Sequence, residues 1–162
     1  MAYKIPGSAF LDSAFLAYVS ADQVNVTGQG QYFDIGFDTT LYNIGGNYSS
    51  GTFSAPTNGI YHFDYTIACN SPTGTATKQF FSAFDGDPWS TRGIQEFNPN
   101  TGDFVFSSSL DLYLPAGGIM KVSFGVFNNS ATDVTIYGNA PNQGAGTRAL
   151  STTFSGYKVA NV

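Results

Sequence analysis

Ser50-Gly51-Thr52-Phe53-Ser54-Ala55-Pro56-Thr57-Asn58-Gly59-Ile60-Tyr61-His62-Phe63 is the stretch on which the fold turns. Beyond Gly59 its residues alternate: Tyr61, Phe63, Tyr65 and Ile67 share one face, and Ile60, His62, Asp64 and Thr66 share the other. That period of two belongs to a half-buried strand. Downstream, Phe104, Phe106, Leu110, Leu112 and Leu114 line one face of a second long strand, interrupted only by the small Ser108. Val122, Phe124 and Val126 repeat the pattern, and Val134 with Ile136 gives a shorter version. Upstream, Phe10, Leu11, Ala14, Phe15 and Tyr18 fit a helical period, while Phe15, Ala17 and Val19 alternate against Leu16, Tyr18 and Ser20 as a strand would. Clusters of Gly, Pro, Asn and Asp separate these runs at 43–51, 56–59, 70–74, 85–88, 98–102 and 139–146. Several short strands with regularly spaced turns predict a single all-β sandwich or barrel, without repeats or linkers.

Composition bounds the function classes. The 162 residues are enough to bury one core, and 42% of them are apolar. Only 10% are charged, against roughly 25% in typical soluble domains, while 16% are aromatic. A surface so poor in charge is best served by an oligomer whose interface absorbs the aromatic surplus. The formal charge is −5, and the six basic residues Lys4, Lys78, Arg92, Lys121, Arg148 and Lys158 are scattered. No basic stripe forms to neutralise phosphates, so nucleic acid is not an expected partner. No apolar run approaches the ~20 residues of a membrane span, so no membrane insertion is expected. A secretion signal is not evident in MAYKIPGSAFLDSAF, and the single Cys69 has no intrachain partner for a disulfide.

The order of residues narrows the sandwich further. Phe37-Asp38-Thr39-Thr40-Leu41-Tyr42-Asn43-Ile44-Gly45-Gly46-Asn47-Tyr48 precedes Gly51-x-Phe53 and then Pro56-x-x-Gly59-x-Tyr61-x-Phe63. Near the other end stands Ser151-Thr152-Thr153-Phe154-Ser155-Gly156-Tyr157, and Ala14-Phe15 falls where a first strand would open. The chain resembles the C1q/TNF-like domain family over roughly Ala14 to Val159. The resemblance implies a ten-strand jelly-roll sandwich that associates as a compact homotrimer. Gly51 and Gly59 are then read as residues that permit turns, with Pro56 setting a corner. Residues 1–13 are expected to be an N-terminal docking or linker segment and 14–162 the jelly-roll domain. Tyr3, Ile5, Phe10 and Leu11 make that segment too apolar for a solvated tail.

The chain departs from animal members in carrying no collagen-like Gly-x-y stalk. The expectation is therefore either an excised domain or a small gene of bacterial, phage or other viral origin. Two functions of different class follow. One is a non-catalytic trimeric decoration or fibre-knob protein of a virion or microbial surface, docked to a larger capsid or surface assembly and bearing a receptor- or glycan-binding face. The other is a soluble secreted recognition domain that binds protein or carbohydrate ligands. The localisation is extracellular or virion surface in either case, and no enzymatic activity is expected.

Candidate chemistry is sparse. His62 is the only histidine, and Cys69 lies seven residues further along the same predicted strand. Odd spacing puts the two on opposite faces and about 23 Å apart, which excludes a Cys-His dyad. Asp85 and Asp87 place two carboxylates in one tight loop, which suits a hard cation, although calcium takes about 6 to 8 oxygens. The competing reading is a solvated turn capped by its own aspartate. The resemblance also implies calcium near a trimer axis, held by acidic residues before the long fifth strand. The matching stretch, Gln95 to Asp103, supplies Glu96 and Asp103, which do not match the family's ligands one by one. Tyr42, Tyr48 and Tyr137 lie in or beside predicted loops, where aromatics either stack on sugar rings or pack at a subunit interface. Sequons begin at Asn25, Asn47 and Asn128.

Overall fold

The computed structural model describes residues 12–70, 78–86, 90–97, 103–127, 131–138 and 152–162, with side chains considered outside 78–83, 85 and 90–97. Among these residues every regular element is a strand: β1 (Ala14–Tyr18), β2 (Gln23–Thr27), β3 (Tyr32–Asp34), β4 (Thr39–Ile44), β5 (Tyr48–Ser49), β6 (Thr52–Ser54), β7 (Gly59–Cys69), β8 (Lys78–Asp85), β9 (Ser90–Phe97), β10 (Phe104–Leu114), β11 (Ile119–Phe127), β12 (Val134–Ile136) and β13 (Thr153–Asn161). The jelly roll is therefore present, and the helical alternative around Phe15 gives way to strand β1. The strand segments exceed ten because left-handed residues cut the 23–54 region into short pieces. Gly28, Gln29 and Gly30 separate β2 from β3, Gly45 and Gly46 separate β4 from β5, and Ser50 with Gly51 separates β5 from β6, all at positive φ.

Two sheets face each other. The seven-stranded sheet runs β2-β12-β7-β13-β1-β4, with β10 also on β7; the six-stranded sheet runs β5-β6-β11-β8-β9, with β3 also on β11. Strand β7 organises the first sheet. Its whole length pairs with β10, from Gly59↔Leu114 to Cys69↔Phe104, while its other edge takes β13 and then β12. The alternation read from sequence holds: Tyr61, Phe63, Tyr65, Ile67 and Cys69 are buried, as are Phe106, Leu112 and Leu114 opposite them. Val122, Phe124 and Val126 of β11 close the core from the second sheet. Phe15 sits at its aromatic centre, stacked 4.5 Å from Tyr48 and edge-on to Phe154 at 4.9 Å, with Phe53 at 5.4 Å. Each such buried ring contributes about 1.5–3 kcal/mol of burial free energy.

The motif residues have specific work in this frame. Asn43 acts as a substitute strand partner: its Nδ2 donates to the Tyr48 carbonyl (2.8 Å), and its Oδ1 accepts from the Tyr48 N–H (3.3 Å). Around Pro56 the corner is tied to the β10–β11 turn. The Ala55 N–H donates to the Gly118 carbonyl, the Gly117 N–H to the Ala55 carbonyl, and the Ala116 N–H to Asn58 Oδ1, each at 2.8 Å. Gly51 has the left-handed φ of +83° that a turn glycine needs. Gly59 does not; a Cβ there would stand 2.6 Å from both the Ala160 carbonyl oxygen and Lys158 Cε, so close packing of β13 demands it.

Of the segment read as 1–13, residues 1–11 lie outside the described residues. Ser13 is already built into the sandwich: it is buried, its carbonyl accepts from the Lys158 N–H (3.1 Å), and its hydroxyl accepts from Asn47 Nδ2 (3.1 Å).

Candidate functional site

The register of β4, β1, β13, β7 and β10 lays their outward residues side by side. One row reads Ile44, Ala14, Tyr157, His62, Asp111 and the next Tyr42, Leu16, Ser155, Asp64, Ser109. Beside them Ile60 stands opposite Tyr113. Tyr42, Ile44, Tyr113 and Tyr157 are 40–47% exposed. Five strands about 4.8 Å apart, taken over five residues of about 3.3 Å, give this face a projected area of roughly 400 Å². It faces away from the core, because parity along each strand sends Phe15, Phe154, Phe63 and Leu112 inward.

A polar cluster is set into this face. His62 Nδ1 lies 2.6 Å from Asp111 Oδ1 on β10, and its Nε2 lies 4.0 Å from Asp64 Oδ2 on its own strand. A carboxylate only accepts, so the neutral ring carries its proton on Nδ1 and turns a lone pair toward Asp64. The Tyr157 ring covers the imidazole at 5.0 Å between centroids. The Ser155 hydroxyl donates to Asp64 Oδ2 rather than to the imidazole. His62 thus sits on the outward face, away from Tyr61 and Phe63, as alternation predicts. Cys69 ends the same strand fully buried, and desolvation, with the nearby Asp103 charge, pushes its thiol up to about 12. The two cannot form a dyad.

The described acidic residues considered for calcium do not share one place. Asp85 ends β8 opposite Ser90, whereas Glu96 pairs with Gln79 at the other end of that hairpin. Six residues of strand, about 20 Å, separate those positions. Glu96 and Asp103 flank the same 98–102 connection, so these two share an end of the sandwich. Asp103 is exposed and accepts a hydrogen bond from the Tyr137 hydroxyl at 2.7 Å. Asp87 lies outside the described residues. Among the described residues no group of three or more His, Cys, Asp or Glu side chains is arranged to hold a metal ion.

Of the three tyrosines read as loop aromatics, Tyr42 is on the exposed face and Tyr137 is engaged by Asp103. Tyr48 is a correction. It is buried, its hydroxyl donates to the Phe37 carbonyl (3.0 Å), and burial raises its phenol well above the ordinary range. It cannot stack on a sugar. Sequence reasoning missed the His62–Asp111 pair, because the two are 49 positions apart and only the strand register joins them.

Comparison with known proteins agrees with this geometry. The C1q domain family model matches residues 14–83. The globular domain of zebrafish complement 1qA superposes with a TM-score of 0.60 at 17% identity, covering 93% of this chain and 99% of that one. Murine APRIL at pH 5.0 gives 0.57 at 12% identity, covering 91% and 98%. The PRD1 vertex protein P5 gives 0.56 at 12% identity, covering 93% and 99%. No curated protein matches the chain in sequence. With the two facing sheets, these matches give the chain the jelly-roll fold of C1q/TNF-like domains, and the C1q family model resembles it over residues 14–83. Among the described residues no helix is long and apolar enough to cross a membrane.

Proposed function

We propose that this chain is a non-catalytic homotrimeric module that assembles through the outward face of β4, β1, β13, β7 and β10. The observation that carries the reading is that Tyr42, Ile44, Tyr157 and Tyr113 stand exposed on one sheet face of a chain with only 10% charged residues. Burying it against two other copies removes the apolar surface from water, and the loops at the ends of the sandwich stay open to a protein or glycan receptor. The proposed setting is the surface of a virion or microbe, as a decoration or fibre-knob protein, with the segment ahead of the built-in Ser13 docking onto a larger assembly. The likeness to a viral vertex protein supports that setting at the level of fold. The C1q match supports the second reading, a secreted recognition domain.

Light scattering on the full chain tests the core of the proposal. The expected mass is three times 17.2 kDa. Ile44→Asp and Tyr157→Asp, each at an exposed position, should yield folded monomers. A wild-type monomer at micromolar concentration, or charge variants that remain trimeric, would refute assembly through this face. Deleting residues 1–11 then separates the settings. Loss of incorporation into the parent particle with the trimer intact supports docking; a trimer that falls apart shows that the segment completes the fold.

A further inference from the structure

The self-association face carries a charge imbalance that its only histidine can relieve. Among the described basic side chains, Lys121 pairs with Asp34 on the other sheet (2.6 Å), and the Lys158 ammonium is held by Thr57 and Asn161. Neither is directed at the cluster. The groups that surround the imidazole are Asp64 on its own strand, Asp111 from β10, and Tyr157 and Ser155 from β13. With a neutral ring the cluster carries two carboxylates and, among the described residues, no compensating charge. Assembly gathers three such clusters onto desolvated faces, where like-charge repulsion is screened least.

Resting on the trimer reading above, we propose that His62 makes self-association proton-dependent, with protonation of the imidazole tightening the assembly. The geometry is suited to it. Nδ1–H already donates to Asp111, and a second proton on Nε2 places positive charge 4.0 Å from the Asp64 carboxylate, within ion-pair reach. The imidazolium is then bracketed by two carboxylates and covered by the Tyr157 ring, a favourable position for a cation. Protonation halves the net charge that each subunit brings to the interface. The sign follows by linkage. The assembled state takes up protons, so the trimer is favoured below the ordinary histidine range near ~6.5 and weakened as pH rises through it.

The test is urea-induced dissociation of the full-length trimer at about pH 6 and about pH 8, the histidine switching range. Wild type is expected to associate at least about tenfold more tightly at the lower pH, with a ceiling of one proton per subunit. Acidification also reduces the overall charge of −5, so the decisive comparison is His62→Gln, whose dependence should be nearly flat. Asp111→Asn, at a site 64% exposed, should tighten the trimer at the higher pH and flatten the profile. It carries the test where the Gln variant fails to fold. A single histidine also gives a single imidazole resonance, which should titrate between these pH values in the intact trimer. His62→Gln retaining the wild-type dependence, or an imidazole that never titrates, overturns the proposal. A wild-type trimer equally tight at both pH values leaves the assembly reading standing and removes only the proton link. No trimer at either pH removes both.

Discussion

Replacing Gly156 by alanine is expected to destabilise the domain by about 2 kcal/mol, through packing alone. Gly156 sits in β13 between Phe15 of β1 and Phe63 of β7, paired to each by register. An added Cβ would stand 2.6 Å from Phe63 Cδ1 and 2.9 Å from Phe15 Cε1, where carbon atoms prefer about 3.5–4 Å. Neither ring can retreat easily. Phe63 is backed by Phe53 at 5.3 Å and Phe154 at 6.0 Å, and Phe15 is clamped between Tyr48 and Phe154. Gly156 has no left-handed φ, so alanine brings no backbone strain and even recovers part of the strand entropy that glycine loses. For a chain of this length the loss corresponds to a Tm drop of about 4–8 °C, read by calorimetry at fixed chain concentration. Gly46→Ala is the control. It has a φ of +67° and no atom within 4 Å of the new methyl, so it probes left-handed strain without steric conflict, at about 1 kcal/mol. Adding Phe63→Leu to Gly156→Ala should give a double variant more stable than the sum of the two single losses. An alanine variant as stable as wild type, or one that the leucine does not relieve, would refute the close approach of β1, β13 and β7.

Three further outcomes follow from individual sites. Cys69, buried with its thiol raised to about 12, should resist thiol reagents until the protein unfolds, and reducing agents should leave its association unchanged. At Asp34 burial alone would raise the carboxyl, but hydrogen bonds from Lys121 and Ser123 hold it below its usual 3.8. A depressed carboxyl stabilises above its unfolded pKa and loses that contribution as pH falls through the folded value. Asp34→Asn should therefore cost a few tenths of a kcal/mol near neutrality, since the pair is exposed, and nothing once the solution is acid enough to protonate the wild-type carboxyl. Calcium should leave the Tm within about 1 °C of its value in chelator, because the Asp103 side chain is engaged by Tyr137; a clear rise would favour the Glu96–Asp103 or Asp85–Asp87 calcium readings instead.

What the chain discloses before folding is uneven, and the reasons are physical. Tyr61 to Ile67 could be placed correctly because these seven consecutive residues of β7 carry an alternation whose buried half is aromatic or β-branched. The Pro56 to Gly59 corner was visible as composition, whereas its anchoring by Asn58 and Ala55 to the 115–118 turn depends on partners far away in sequence. Tyr48 was misplaced because β5 is two residues long and lies among Gly45, Gly46, Ser50 and Gly51. A period cannot be read from so short a strand, and glycine neighbours resemble a loop. Leu41 and Tyr42 show the same limit, since β1 and β4 slip register between Leu16 and Ala17 and parity fails there. The cluster around His62 was invisible for another reason: its members come from three strands, and adjacency across a sheet is set by pairing alone.

The placement of β13 also governs how the protein can be made. It lies between β1 and β7, so strands from near the two ends of the described chain meet at Ala14↔Tyr157. A ribosome must therefore have translated Thr153–Asn161 before the opening strand can find its second neighbour, and until then β1 and β4 have no bridge to β7. Such distant closure slows folding and leaves aromatic strands waiting with unpaired edges, an invitation to aggregate or to pair with another nascent chain. Premature termination ahead of Thr153 would remove an interior strand rather than trim an edge, so truncated products should be insoluble rather than merely weakened.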